Sequence, residues 1–420
     1  MFIKRSLLAF VLLLCVFVTG LLTSFAQTKS DEDVVRITTN LVQIDAVVTK
    51  NGKMVTDLKA EDFEIFEDGR RQQITSFAYI SNVPTKVAGS TTASTSNTVA
   101  NTAFDPNSPP PVPTEVRRRT IAFVIDDLGL SAQSMTNVRA QLGKFINEQL
   151  NPNDLIAIIL TSKGKTTLPQ FTNDKAVIAE AWKQVVWNQC SRVGLKALRP
   201  DEGKGCGNPD VAVSDSLRSI RAILEAMGKT PGRKSMILMT DDIPIRDYEN
   251  FERPNGSVTQ ANASFSIANN YSQQLNSVSE VAIRSSVVIY AVEAAGLQVT
   301  SLQASEESSM SAGSSGNRQF VKQLHSRSQM IQQRREGAGL MAKETGGFLV
   351  HDQNNFQLES ILNDQSGYYL IGYRPSSETF DKRFNKIKAR VKKPGMTVRT
   401  RSGFFGLTEE DAKRLKDTKK

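Results

Sequence analysis

Across residues 34–80 apolar positions alternate with polar ones, with Val35, Ile37, Leu41, Ile44, Ala46 and Val48 punctuated by charged and hydroxylated residues. That period places one face of a pleated strand against a core. Asn51-Gly52 is a hairpin turn, and Glu67-Asp68-Gly69-Arg70 a second one after a short strand over 63–66. Four short strands cannot close a core unaided, so this unit needs partners from elsewhere in the chain. Residues 81–118 shift to Thr, Ser, Ala, Asn and Pro, including Pro109-Pro110-Pro111, and read as a flexible linker.

From residue 119 the pattern becomes an alternation of buried strands and amphipathic helices. Strands are predicted over 120–126, 155–160, 235–240, 287–292 and 348–351, with a hairpin strand over 167–171 at the sheet edge. Helices are predicted from the cap Ser131 to about Leu150, over 172–187, 214–227, up to Arg284, 321–342 and 356–362. The expected fold over 119–365 is α/β, a doubly wound, mostly parallel six-stranded sheet. An irregular insertion at 188–210 and a mobile loop at 296–317 interrupt it. Strands return over 368–373, 384–391 and 396–400. The segment 366–405 is thus expected to join 34–80 in a small β-sandwich-like domain of about seven strands, typical of a small two-sheet packing. Residues 406–420 form a charged tail.

The first 26 residues have the form of a signal peptide: Lys4 and Arg5, an apolar run over 7–22, and the small-x-small site Ser24-Phe25-Ala26. This predicts an exported chain, periplasmic or secreted, with no stable membrane span after cleavage. Formal charge is +9, or +7 once Lys4 and Arg5 are removed. Basic balance of this size favours weak contact with anionic envelope polymers, and without an aromatic-interleaved basic patch nucleic acid is not an expected partner. Export gives the two remaining cysteines, Cys190 and Cys206, a meaning as a disulfide pair.

In an open parallel sheet, ligands bind beyond the C-terminal strand ends where the strand order reverses. With order 3-2-1-4-5-6 the strands flanking that crevice end at Asp126 and Asp241, and two such carboxylates favour a hard divalent cation such as Mg²⁺. Several segments resemble a known family. They are Leu41-Val42-Gln43-Ile44-Asp45-Ala46-Val47-Val48, Leu58-Lys59-Ala60-Glu61-Asp62-Phe63-Glu64-Ile65-Phe66-Glu67-Asp68-Gly69, Ala342-Lys343-Glu344-Thr345-Gly346-Gly347 and Tyr368-Tyr369-Leu370-Ile371-Gly372-Tyr373. In this joint order the chain resembles the von Willebrand factor A domain and, more closely, the bacterial VWFA-related (acidobacterial-type) group. The resemblance implies a metal-ion-dependent adhesion site of the form Asp-x-Ser-x-Ser, with a Thr before a later helix and an Asp after the fourth strand. Asp126 and Asp241 match the aspartates. Leu128 and Leu130 stand at the serine positions and Val211 at the Thr position; starting from Asp127 instead recovers Ser131 but puts Gly129 in the other place. The metal residues so implied are Asp126, Asp127, Ser131 and Asp241, in a degenerate site; without Mg²⁺, Asp126 and Asp241 are expected to bond loop backbone, and Asp127 and Asp242 to be helix or turn starters.

Of the two histidines, His325 and His351, neither stands beside a plausible nucleophile, and no nucleophile-elbow, zinc-protease or phosphate-loop motif occurs. The expected function is therefore a non-enzymatic protein-interaction module, its partner a protein of the cell envelope or extracellular space. The alternatives are a structural envelope protein without a ligand site and a metal-assisted hydrolase using Asp126 and Asp241. The cysteine reading is open to test: peptide mapping of the secreted chain under non-reducing conditions should recover the peptides of Cys190 and Cys206 linked, and two alkylatable thiols would refute it.

Overall fold

The computed structural model describes residues 41–82, 119–163, 170–193, 209–230, 232–245, 258–296, 314–351, 358–375 and 383–406. The expected signal peptide, most of the expected linker and the charged tail from residue 407 lie outside these residues, as do the strand positions before Leu41.

Five parallel strands form the central sheet: β6 (Thr120–Ile125), β7 (Leu155–Leu160), β8 (Lys234–Thr240), β9 (Val287–Glu293) and β10 (Leu349–Val350). Their order is β10-β9-β8-β6-β7, every pair parallel. β6, β8 and β9 are buried along their whole length, which explains why their sequences read as unbroken apolar runs rather than as alternation. Of the expected sixth strand only an antiparallel bridge of Ile156 with Thr172 is described, paired by both backbone bonds, at 2.8 and 3.0 Å. The sheet is therefore five-stranded among the described residues, and residues 164–169 lie outside them.

Helices cover both faces. On one lie α1 (Ala132–Lys144) and α2 (Lys175–Lys183), whose Met135, Val138, Leu142 and Ile178 pack on Phe123 and Ile237. On the other lie α3 (Pro209–Met227), α4 (Val258–Arg284) and α5 (Ser314–Glu344), bringing Leu217, Ile220, Leu275 and Met341 onto Val124 and Leu238. A last short helix, α6 (Glu359–Asp364), joins the first face through Ile361. Ser131 caps α1, accepting from the Ser134 amide at 3.1 Å, and the helix continues as a wider π turn over Phe145–Gln149. Two boundaries depart from expectation. α3 begins at Pro209, inside the expected insertion, and α5 begins at Ser314, inside the expected mobile loop; residues 297–313 lie outside the described ones.

The flanking segments supply β1 (Val42–Lys50), β2 (Lys53–Met54), β3 (Phe63–Glu67), β4 (Arg70–Gln72) and β5 (Ile74–Ser81) before the parallel sheet. After it come β11 (Gly367–Tyr373), β12 (Phe384–Val391), β13 (Met396–Arg399) and β14 (Gly403–Phe405). β14 had no signal in the sequence pattern, being only three residues long. Two antiparallel sheets result, β13-β1-β11-β5 with β2 on β1, and β14-β12-β3-β4. Each mixes strands from both ends of the chain: β11 lies between β1 and β5, and β12 pairs β3 in register from Val391 opposite Phe63. Ile44, Tyr369 and Ile371 of the first sheet meet Phe63, Ile65 and Ile387 of the second in one apolar core. The turn residues Asn51 and Gly52 hold φ of 49° and 75°, as the tight hairpin between β1 and β2 requires. Among the described residues no helix is long and apolar enough to cross a membrane.

Because β1 and β5 both pair β11 and β3 pairs β12, removing Gly367–Lys420 should leave the N-terminal strands only the short pairings β1–β2 and β3–β4. Hydrogen exchange of residues 42–81 in that truncation should accelerate towards the unprotected rate while β6, β8 and β9 stay protected; unchanged protection of 42–81 would show that the N-terminal strands hold without β11.

Candidate functional site

The candidate site beyond the C-terminal ends of β6 and β8, where the sheet order reverses, is built on Asp126, the residue after β6, which has no solvent exposure. An isolated buried carboxylate is strongly disfavoured, so its partners decide the site. Its Oδ1 accepts from Ser216 Oγ on α3 at 2.6 Å and from Thr161 Oγ1, just past β7, at 3.0 Å. Its Oδ2 accepts from Thr240 Oγ1, the last residue of β8, at 2.8 Å and from Arg192 Nη2 at 2.6 Å. Two oxygens with four donors leave no lone pair for another cation.

Arg192 comes from the segment expected to be an irregular insertion. Its side chain is 3% exposed, its Nη1 donates to Ser216 Oγ at 3.1 Å, and Nη2 also reaches the carbonyl of Asp242. Three local contacts hold the segment in place: the Arg192 amide to the Leu128 carbonyl at 2.8 Å, Ser191 Oγ to the Leu130 carbonyl at 2.7 Å, and Asn188 Nδ2 to Asp127 Oδ2 at 3.2 Å. Gly129 lies against the ion pair so closely that a Cβ there would collide with both Asp126 and the Arg192 guanidinium. Cys190, two residues before Arg192, is disulfide-bonded; Cys206, its expected partner, lies outside the described residues.

The other implied ligands have separate tasks. Asp127, also buried, accepts at Oδ1 from the Ser162 amide at 2.9 Å and Thr161 Oγ1 at 3.1 Å, and at Oδ2 from Ser162 Oγ at 2.5 Å. Thr161 has a single hydroxyl proton, so it is shared between Asp126 and Asp127. Asp241 sits across the crevice, its Oδ2 accepting from the Ser131 amide at 3.0 Å. The Ser131 and Ser134 hydroxyls bond each other at 2.7 Å, and Asp241 Oδ1, fully buried, has no hydrogen-bond partner. Burial pushes the Asp241 carboxyl up to about 6, against the pull of the Ser131 amide and the Ser134 and Ser131 hydroxyls, with Glu293 adding to the rise.

These contacts correct the donor set implied for Mg²⁺. The structure brings Asp126, Asp127, Ser131 and Asp241 to one end of the sheet, but the residues do not fit a Mg²⁺ ion. Asp126 already holds a guanidinium, Asp127 faces Thr161, Ser162 and Asn188, and Ser131 bonds Ser134 and Asp241. Val211, at the implied Thr position, is 52% exposed on the first turn of α3, and Ser216 one and a half turns later turns inward to Asp126 instead. The expectation that Asp126 and Asp241 bond loop backbone holds for Asp241, through the Ser131 amide, and is replaced for Asp126, whose carboxylate partners are side chains. Among the described residues no group of three or more His, Cys, Asp and Glu is arranged to hold a metal ion. Sequence reasoning missed Thr161, Ser216, Thr240 and Arg192. Only the placing of Thr240 immediately before Asp241 at a strand end could have pointed to any of them.

The chain matches no protein-family model and no curated protein.

A folded-state value of about 6 for Asp241 lies above the ordinary carboxylate range, so the native state binds a proton more tightly than the unfolded chain. Its contribution to stability is therefore full below about pH 4 and is lost as pH rises through about 6, by on the order of 3 kcal/mol. Urea denaturation from pH 4 to 7 should show that Asp241→Asn flattens this decline and is more stable than wild type at pH 7. Parallel wild-type and variant profiles would show that Asp241 does not carry the proton.

Proposed function

We propose that the chain is an exported, non-enzymatic protein-interaction module of von Willebrand factor A-like type, in which an internal arginine stands where a metal-dependent relative would hold its cation. The observation that supports this most directly is the saturation of Asp126 by Thr161, Ser216, Thr240 and Arg192. A carboxylate committed to four internal donors is a poor metal ligand and a poor general base, so the crevice is better suited to presenting a shaped surface than to hydrolysis. Sheet order supports the same reading, since β6 and β8 are the pair between which the connections reverse direction. The hydrolase alternative is weakened at Asp126, which is committed to four donors, and would rest on Asp241 alone. The purely structural alternative differs in predicting no partner at the crevice rim, where Ser162 and Lys163 are exposed.

Two measurements test the reading together. Millimolar Mg²⁺ should leave the wild-type melting temperature unchanged, whereas a true site at a hundred times its dissociation constant would add about 2.7 kcal/mol. Arg192→Met should lower stability by roughly 3–5 kcal/mol, because it strands a buried carboxylate. In native envelope fractions, crosslinking to a discrete partner should survive EDTA and fall with Lys163→Glu. An Asp126-dependent rise with Mg²⁺ would instead restore a metal-dependent adhesion site, and crosslinking indifferent to Lys163→Glu would remove the crevice rim as the interface.

A further inference from the structure

At the opposite end of the parallel sheet a cavity of about 570 Å³ opens between the starts of β8 and β9 and the strands β1 and β11 of the β-sandwich. That volume suits a small-molecule ligand. Its lining is unusual in charge. Arg233, Lys234 and Arg401 face it, against Asp45 as the one carboxylate among its described lining residues. Arg284 also borders the cavity but is paired with Glu280 at 2.9 Å and lies over the Phe405 ring.

Lys234 is buried and the two arginines half-buried, and each arginine keeps a buried nitrogen without a hydrogen-bond partner. The Arg233 side chain is 9% exposed and lies over the Tyr368 ring, 4.7 Å from its centre. Its nearest acid, Asp45, is 3.8 Å from Nε, beyond hydrogen-bond distance, and its buried Nη1 has no hydrogen-bond partner. Lys234 is 3% exposed and its Nζ donates to the Thr230 carbonyl at 2.6 Å, using one of three protons. Arg401 donates from Nη2 to the Gln43 carbonyl at 2.7 Å, and its buried Nε has no partner. Burial pushes both Lys234 and Arg401 down, with Asp45 opposing in each case. Asp364 acts on Arg233 from farther off but is already engaged by Arg399 and by the Tyr290 hydroxyl. Three cations against one carboxylate leave an excess of two positive charges, with free guanidinium donors.

We propose that this cavity binds a phosphate-type dianion, either inorganic phosphate or a phosphate monoester, held by Arg233, Lys234 and Arg401. Charge selects the dianion: a monocarboxylate would leave one cation uncompensated, whereas phosphate balances the excess. The planar guanidinium forks provide paired N–H donors for its oxygens, and the ammonium adds a point charge. The site lies beneath the sheet, away from Asp126 and Asp241, so it is independent of the crevice and of the function proposed for it.

The test is isothermal titration of the full mature chain with inorganic phosphate at fixed ionic strength, with melting temperature followed in parallel. The expected result is saturable binding that raises the melting temperature, with affinity at least tenfold weaker in Arg401→Gln and in Lys234→Met. Lys234→Met replaces a buried ammonium by an apolar chain of similar length, so it should fold at least as well as wild type without phosphate. No saturable heat in wild type, undiminished binding in Lys234→Met, or equal binding of succinate would each overturn the proposal. A phosphate monoester that binds more tightly than inorganic phosphate would identify the ester as the form the cavity takes.

Discussion

The carboxylate of Asp126 has no solvent exposure, and side chains from four distant segments converge on it. Neutralising a buried carboxylate requires a cation and a full set of hydrogen bonds, because half-satisfied polar groups in a low dielectric cost more than none. Four separate pieces of chain meet that demand: Thr161 after β7, Arg192 from the disulfide-bearing segment, Ser216 from α3 and Thr240 at the end of β8. The same ion pair explains Gly129, whose missing side chain leaves room for it, and the anchoring of residues 188–193 onto the loop after β6. A metal ion would need open coordination positions and mobile water. A guanidinium needs neither, and Arg192 supplies the charge opposite Asp126 from protein atoms alone.

The lower half is organised by the pairing of chain ends. β11 cannot lie between β1 and β5 unless the α/β domain returns the chain to where it left, so the two sheets and the parallel sheet are built as one compact unit. Arginines join them. Arg399 pairs with Asp364 and lies over Phe348, Arg284 lies over Phe405, and Arg233 lies over Tyr368. A flat guanidinium satisfies an aromatic face and an acceptor at once, which suits a seam where strand edges meet helix ends. Where that seam lacks acids, between Asp45 and Arg401, it leaves the positively charged cavity.

The backbone Ser402 amide donates to the Glu344 carbonyl at 2.9 Å, and Gly346, at φ of 87°, lies against the backbone of Thr400. The Thr345-Gly346-Gly347 turn is thus both the end of α5 and a contact point for the β-sandwich. A side chain at Gly346 would be strained in this conformation and would press on Thr400.

Local periodicity was enough to locate most elements, because burial on both faces writes a continuous apolar run into β6, β7, β8 and β9, and burial on one face writes alternation into β1. It also located the aspartates, which follow the buried strands immediately. Turn chemistry at Asn51-Gly52 and the cap at Ser131 were legible for the same reason: each depends on neighbours two or three residues away. The partners of Asp126 were not legible. Thr161, Arg192, Ser216 and Thr240 lie 35 to 114 residues from it, and hydroxyls and arginines are common on surfaces, so nothing in their own neighbourhoods marks them as buried. α3 begins at Pro209 rather than at Ser214, which puts Val211 on an exposed helical face and turns Ser216 inward to Asp126. What the sequence by itself determined was the order of elements and the place of the crevice, both set by short-range patterns. Whether a cation in that crevice is a metal or a guanidinium was decided only by tertiary structure, because it depends on which distant segment the fold brings within 3 Å of one carboxylate.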